Sequence, residues 1–140
     1  MTDGYELRTD LASMDLDLVH RWLSTDAYWS TGRSREAVAT AAEHSLNVGA
    51  FTADGQQVAY ARVVTDHANF AWLCDVYVDR DHRGHGIGTR MVAAVNERLD
   101  AWGVRRTLLA TRDAHGVYAG HGFEALPDPT IWMVRTPRPA

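Results

Sequence analysis

Residues Arg83-Gly84-His85-Gly86-Ile87-Gly88-Thr89 place three glycines and a guanidinium just after the apolar run Val76-Tyr77-Val78. Glycine lets the backbone approach a ligand closely and take conformations closed to other residues, so successive N–H groups can converge on phosphate oxygens. The start of a following helix adds the positive end of its dipole, and Arg83 adds a formal charge. Anion binding is the chemistry this predicts. A dinucleotide-binding fingerprint would read G-x-G-x-x-G inside a βαβ unit, whereas here the spacing is G-x-G-x-G behind a run of hairpins. A Walker loop needs Gly-Lys followed by Ser or Thr, which this turn lacks. His82 and His85 flank Arg83 without an H-E-x-x-H motif or a cysteine-rich cluster, so they read as solvent-facing or phosphate-contacting, and no metal is predicted.

A second chemical signal lies just upstream. Asp75 interrupts an otherwise apolar strand, so its carboxylate must face solvent or a polar cleft. Cys74 beside it has no histidine partner in sequence and reads as a small core residue rather than a nucleophile.

These residues need a scaffold. Tyr5 to Arg8 predicts a short edge strand, and Asp15 predicts the cap of a helix carrying Leu16, Val19 and Leu23 on one face. Ser34 predicts the cap of a second helix, with Glu36 in its first turn and Val38, Ala41, Ala42 and Ser45 along one stripe. Between the two, Tyr28 and Trp29 sit in a break that could wall an acceptor pocket or simply pack onto the sheet. The runs 48–52, 58–64 and 70–78 read as an antiparallel meander whose first turn is Asp54-Gly55. Met91, Val92, Val95, Leu99 and Trp102 then recur at helical spacing from Thr89, with Gly103 as the stop. A strand over 107–111, a short helix over 115–120, and a closing pair of strands over 123–126 and 131–134 complete the expected order. Trp22, Trp72, Trp102 and Trp132 lie on periodic segments and read as core.

The 140 residues suit one domain, expected over 1–136 with a loose tail over 137–140. A net charge of −4 disfavours nucleic-acid binding and mildly favours cationic substrates. The lone cysteine allows no internal disulfide, and neither a signal peptide nor a membrane-spanning run is evident, so a cytoplasmic protein without a membrane partner is expected.

The R-x-x-G-x-G pattern filled by Arg83, Gly86 and Gly88, together with Val76-Tyr77-Val78, resembles the acetyl-CoA signature of the GNAT family of N-acetyltransferases. The order of elements is also similar to that family's α/β (α+β) fold, a mixed, mostly antiparallel sheet flanked by helices. The resemblance implies that the amides of Arg83, Gly84, His85, Gly86, Ile87, Gly88 and Thr89 hold the diphosphate of acetyl-CoA. It implies too that Val76, Tyr77 and Val78 pair with the pantetheine arm, in a gap left by a strand around Leu108 to Thr111 that splays away. The stretch ending Tyr118-Ala119-Gly120-His121-Gly122-Phe123 is similar to the family's segment in which a tyrosine precedes a Gly-Phe strand start, which implies that Tyr118 is the general acid. A phenol with a reference pKa near ~10 can protonate a departing thiolate at neutral pH.

In some family members an acidic residue at the position of Asp75 contacts the amine or polarises a water, and others place a Glu where this chain has Cys74, so the base is left open. The expected reaction is direct transfer of acetyl from acetyl-CoA, a co-substrate, to a primary amine of a small molecule. The alternatives are acetylation of a peptide N-terminus or lysine, and a non-catalytic acyl-CoA sensor. Pairing of an exposed strand over 131–134 with its copy would make a homodimer.

Overall fold

The computed structural model describes residues 4–137. Its central feature is a five-stranded sheet in the order β1-β2-β3-β4-β5, formed by Tyr5–Arg8, Leu46–Thr52, Gln57–Thr65, Phe70–Val78 and Arg106–Leu108. The first four strands pair antiparallel, and β5 joins β4 in parallel. This is the mixed, mostly antiparallel sheet flanked by helices that the sequence predicts. The described chain divides after Ala110 into a larger unit that holds this sheet and a smaller one beginning at Thr111.

Local chemistry explains most boundaries. Helix α1 (Leu16–Thr25) starts where the Asp15 carboxylate accepts from the Leu18 N–H at 3.1 Å, and α2 (Arg35–Glu43) starts where the Ser34 hydroxyl accepts from Ala37 N–H at the same distance. The hairpin between β2 and β3 turns on Gly55 at φ 87°. In the next turn the Asp66 carboxylate accepts from the N–H groups of Ala68, Asn69 and Phe70, which holds its pKa down at about 2. Helix α3 (Ile87–Trp102) crosses from β4 to β5 and ends at Gly103, φ 75°.

The two helical layers take opposite faces. Tyr60, Phe51 and Tyr77 pack with Val19, Trp22 and Leu23 of α1 and Val38 of α2. On the other face lies Ala59, opposite Val78 in the ladder, and a Cβ built on Gly88 of α3 would stand 3.8 Å from Val78 Cγ2. Met91, Val92, Val95 and Leu99 of α3 are buried, and the helix packs on β2, β3 and β4. No helix among the described residues is long and apolar enough to cross a membrane.

The smaller unit departs from the sequence reading. Helix α4 (His115–Ala119) forms, but neither closing strand does: residues 123–126 are irregular, and Pro129–Ile131 is a single 3-10 turn. Pro127 and Pro129 bring no N–H to a ladder, and Ile131, Met133 and Val134 are 70%, 97% and 89% exposed, so nothing rewards a strand there. The expected strand over 107–111 is likewise shortened to β5. Trp22 is buried as expected, whereas Trp72 and Trp132 are 36% and 37% exposed and are not core. Of the expected loose tail, residues 138–140 lie outside the described residues.

Candidate active site

The turn between β4 and α3 begins with Asp79, whose carboxylate accepts from Asp81 N–H in the 3-10 turn Arg80–His82. Gly84 and Gly86 then adopt φ 84° and 75°, the left-handed conformation that only glycine takes without cost. Gly86 is the N-cap of α3 and brings no side-chain acceptor, and no acidic residue lies in the first turn. The first intrahelical bond runs from Arg90 N–H to Gly86 O, so the amides of Ile87, Gly88 and Thr89 are available to an anion at the positive end of the dipole. The buried Ile87 side chain, 2% exposed, anchors that turn to the core.

Arg83 is less free than its place in the motif suggests. Its Nε donates to Val78 O at 2.9 Å, its guanidinium lies over the Tyr77 ring, and its Nη2 stands 3.7 Å from Asp26. Asp26, at the C-cap of α1, also accepts from Tyr77 Oη and from Arg80, so one carboxylate ties the start of the loop between α1 and α2 to both β4 and the glycine turn. Arg80 lowers the Asp26 pKa first, with Tyr77 adding to it. Tyr77 also stacks on Trp22, their ring centroids 5.3 Å apart. On the far side, His82 Nδ1 and Tyr5 Oη share a hydrogen bond of 2.8 Å, and His85 rests against the same ring, so β1 braces the turn.

Strand β4 is open along one edge. Its ladder with β5 ends at Trp72 opposite Leu108, so among the described strands Leu73 to Val78 pair only with β3. The backbone of Val76 and the N–H of Val78 on that edge have no β5 partner, the condition a strand-like ligand needs, while Tyr77 pairs with Tyr60 of β3 and the Val78 carbonyl accepts from Arg83 Nε.

Just before this edge the β3–β4 register shifts, and Asp75 sits in the left-handed region at φ 53°. The residue is 4% exposed. Its Oδ1 accepts from Trp29 Nε1 at 3.1 Å, and its Oδ2 accepts from Arg33 Nη1 at 2.7 Å and Arg62 Nε at 2.9 Å. Burial pushes its pKa up, but the hydrogen bonds and charges of Arg33 and Arg62 outweigh that and hold the carboxyl below the usual range. A carboxylate with three donors on it and a lowered pKa is a weak base. Burial pushes the Cys74 thiol up to about 11, which keeps it protonated and unreactive.

The break after α1 folds back on itself, with Ser30 Oγ donating to Leu23 O and Gly32 N–H to Ser24 O. Trp29 is 42% exposed and Tyr28 48%, their rings meeting edge to face. The structure thus brings Trp29 to Asp75, held there by its own indole N–H. A cavity of about 310 Å³ lined by Leu46, Val48, Ala94 and Arg98, among others, contains none of the predicted site residues.

Tyr118 belongs to the smaller unit. It lies half-buried on α4, its ring edge-on to Phe123 at 5.9 Å. Arg33, Arg62 and Asp26 escaped the sequence reading. Arg62 did carry a signal, since a guanidinium inside the apolar run of β3 needs a counter-charge and the interruption of β4 at Asp75 supplies one. Arg33 and Asp26 carried none, because loop paths are not written in periodicity.

Set beside known proteins, the chain matches the model of the acetyltransferase (GNAT) family over residues 16–123. A Gibberella zeae protein named as a putative acetyltransferase is 30% identical over 128 residues, which cover 78% of this chain and 72% of that one. A crystal structure of a Xanthomonas campestris pv. campestris protein of the GNAT family is 43% identical with a TM-score of 0.90, covering 94% of this chain and 92% of its own. The ribosomal-protein-S18-alanine N-acetyltransferase of Escherichia coli, at 21% identity, TM-score 0.71 and coverage of 86% and 77%, shares the fold.

Proposed function

Since the chain belongs to the acetyltransferase (GNAT) family, we propose that it transfers an acetyl group from acetyl-CoA directly to a primary amine of a small molecule. The observation that carries this reading is the juxtaposition of two features: an uncapped α3 N-terminus behind Gly84 and Gly86, and a β4 edge without a β5 partner from Leu73 to Val78. The first suits a diphosphate and the second an extended amide-bearing arm. Acetyl-CoA brings an activated thioester to this place.

In this reading the amides of Gly84 through Thr89 hold the diphosphate, and Arg83 and His85 line the turn. On β4 the backbone of Val76 and the N–H of Val78 lie toward the arm, with Tyr77 between them paired to Tyr60 of β3 and the Val78 carbonyl held by Arg83 Nε, and an N–H at Val76, beside the bulge, faces the developing oxyanion. Tyr28 and Trp29 wall the acceptor side, with Asp75 fixing the indole. As the neutral amine nitrogen bonds to the acyl carbon and the C–S bond breaks, Tyr118 gives its phenolic proton to the departing sulfur, and the proton the nitrogen then sheds to solvent is matched by one that restores the phenol. The reaction is placed in the cytoplasm, and the enzyme acts as a homodimer joined through the exposed apolar residues of 131–134.

Calorimetric titration with CoA, followed by thiol release from acetyl-CoA with a panel of amines, tests the assignment. Absence of CoA binding would overturn it. Tyr118→Phe should lower kcat by about 100-fold or more, the usual worth of a general acid, without changing CoA affinity. An unchanged kcat removes Tyr118 from that role.

A further inference from the structure

Two guanidiniums face one carboxylate at the acceptor side of β4. Arg33 and Arg62 both donate to Asp75 Oδ2, at 2.7 and 2.9 Å, and these contacts leave one positive charge unbalanced within the cluster. The Asp75 side chain is 2% exposed, but those of Arg62 and Arg33 are 16% and 24% exposed, so the surplus charge faces outward. A partly desolvated charge without a counter-ion is costly, and an arriving anion relieves that cost.

Arg33 is the better placed of the two. Arg62 spends Nε on Asp75 and Nη1 on Ser45 Oγ. Arg33 spends only Nη1, which leaves Nε and the neighbouring Nη2 without a partner among the described residues. Those two nitrogens form the side-on fork whose spacing matches the two oxygens of a carboxylate. The fork does not wander: Arg33 N–H donates to Ser30 O, its carbonyl is bonded by His20 Nε2 at 3.0 Å, and Asp75 holds the guanidinium. Trp29, fixed by the same carboxylate and 42% exposed, gives the fork an aromatic flank.

The geometry points to Arg33 as the anchor for a carboxylate on the acceptor, making the acceptor an amine of the α-amino-acid class. This rests on the reading of β4 as the acyl-CoA edge, because Asp75 immediately precedes Val76 and a carboxylate held at Arg33 puts a nearby amine beside that edge. The local field is opposite to the chain's net charge of −4, so recognition here favours an anionic group on the substrate.

The test uses matched amines that differ in one group: an α-amino acid, its primary amide, its decarboxylated amine, and an amine carrying phosphate instead. Each is titrated calorimetrically into wild-type protein saturated with CoA, and into Arg33→Gln and Arg33→Lys. The amino acid should bind on the order of tenfold tighter than its amide, the worth of one or two charge-assisted hydrogen bonds. In Arg33→Gln that ratio should fall toward one, and Arg33→Lys should restore part of it. Equal binding of acid and amide, binding of none of the four to CoA-loaded protein, preference for the phosphate, or an equal loss for acid and amide in Arg33→Gln overturns the inference. Each leaves the acyltransferase reading standing, whereas a protein that fails to bind CoA at all sinks both.

Discussion

Replacing Asp75 with Asn keeps a residue that tolerates φ 53° but removes the charge that Arg33 and Arg62 share. Two partly buried guanidiniums are then left facing a neutral amide, and Asp75→Asn should cost on the order of 2–3 kcal/mol in chemical denaturation at neutral pH. The pH dependence follows from the direction of the shift. The folded pKa of Asp75 lies below its unfolded value near ~3.9, so its contribution is present in full above that value and is lost as pH falls through the folded pKa. The stability gap between wild type and Asp75→Asn should therefore be constant near neutrality and shrink on acidification below ~4. A gap that persists at the acid limit would show that charge is not what Asp75 contributes. The sequence exposed Asp75 as a polar break in β4 but not its work, because its partners depend on where a bulge sits and how a loop returns. The register that sets Arg62 opposite Cys74 places the guanidinium beside Asp75 only after the strand shifts.

At the level of elements, helix α3 and its glycine turn were legible because their causes are local. The stop at Gly103 and the stripe of Met91, Val95 and Leu99 can each be read within a few residues, whereas the start, expected at Thr89, lies two residues earlier at Ile87 with Gly86 as its cap. The same turn permits a contrast between two glycines. Gly86 has φ 75° with open space where a Cβ would go, so Gly86→Ala meets no clash but forces alanine into a left-handed conformation, costing about 1–2 kcal/mol. Relaxation away from that φ would also turn the amides of Ile87 and Gly88, and CoA affinity should fall by about tenfold, as for loss of one charge-assisted bond. Gly88 lies inside the helix, and a Cβ there meets Val78 Cγ2 at an ordinary 3.8 Å, so Gly88→Ala should fold and bind CoA nearly as the parent does. Denaturation midpoints and CoA titrations of the two variants check this, and equal behaviour would mean that the left-handed cap does not set the direction of the amides. What local reading missed was pairing at a distance: the runs at 123–126 and 131–134 carry strand-like composition, yet a strand exists only where a partner offers its ladder.

For the whole molecule, those runs raise the question of what they contact. Ile131, Met133 and Val134 fall within four residues at 70–97% exposure, and Trp132 between them is extended at φ −93°, ψ 136°. An exposed apolar run of this kind is a surface for another chain. A second copy supplies the matching segment at no cost in specificity, since a two-fold axis sets each run against its own equivalent. Sedimentation equilibrium should therefore give a dimer for the wild type. Met133→Glu, at a side chain that a single copy leaves in water, should alter the fold of that copy little while setting two carboxylates against each other across the axis. The expected outcome is a monomer with an unchanged far-ultraviolet dichroism spectrum. A wild type that sediments as a monomer at every concentration would remove the homodimer from the proposal. A dimer that survives Met133→Glu would place the contact elsewhere, leaving the run at 131–134 as bare apolar surface.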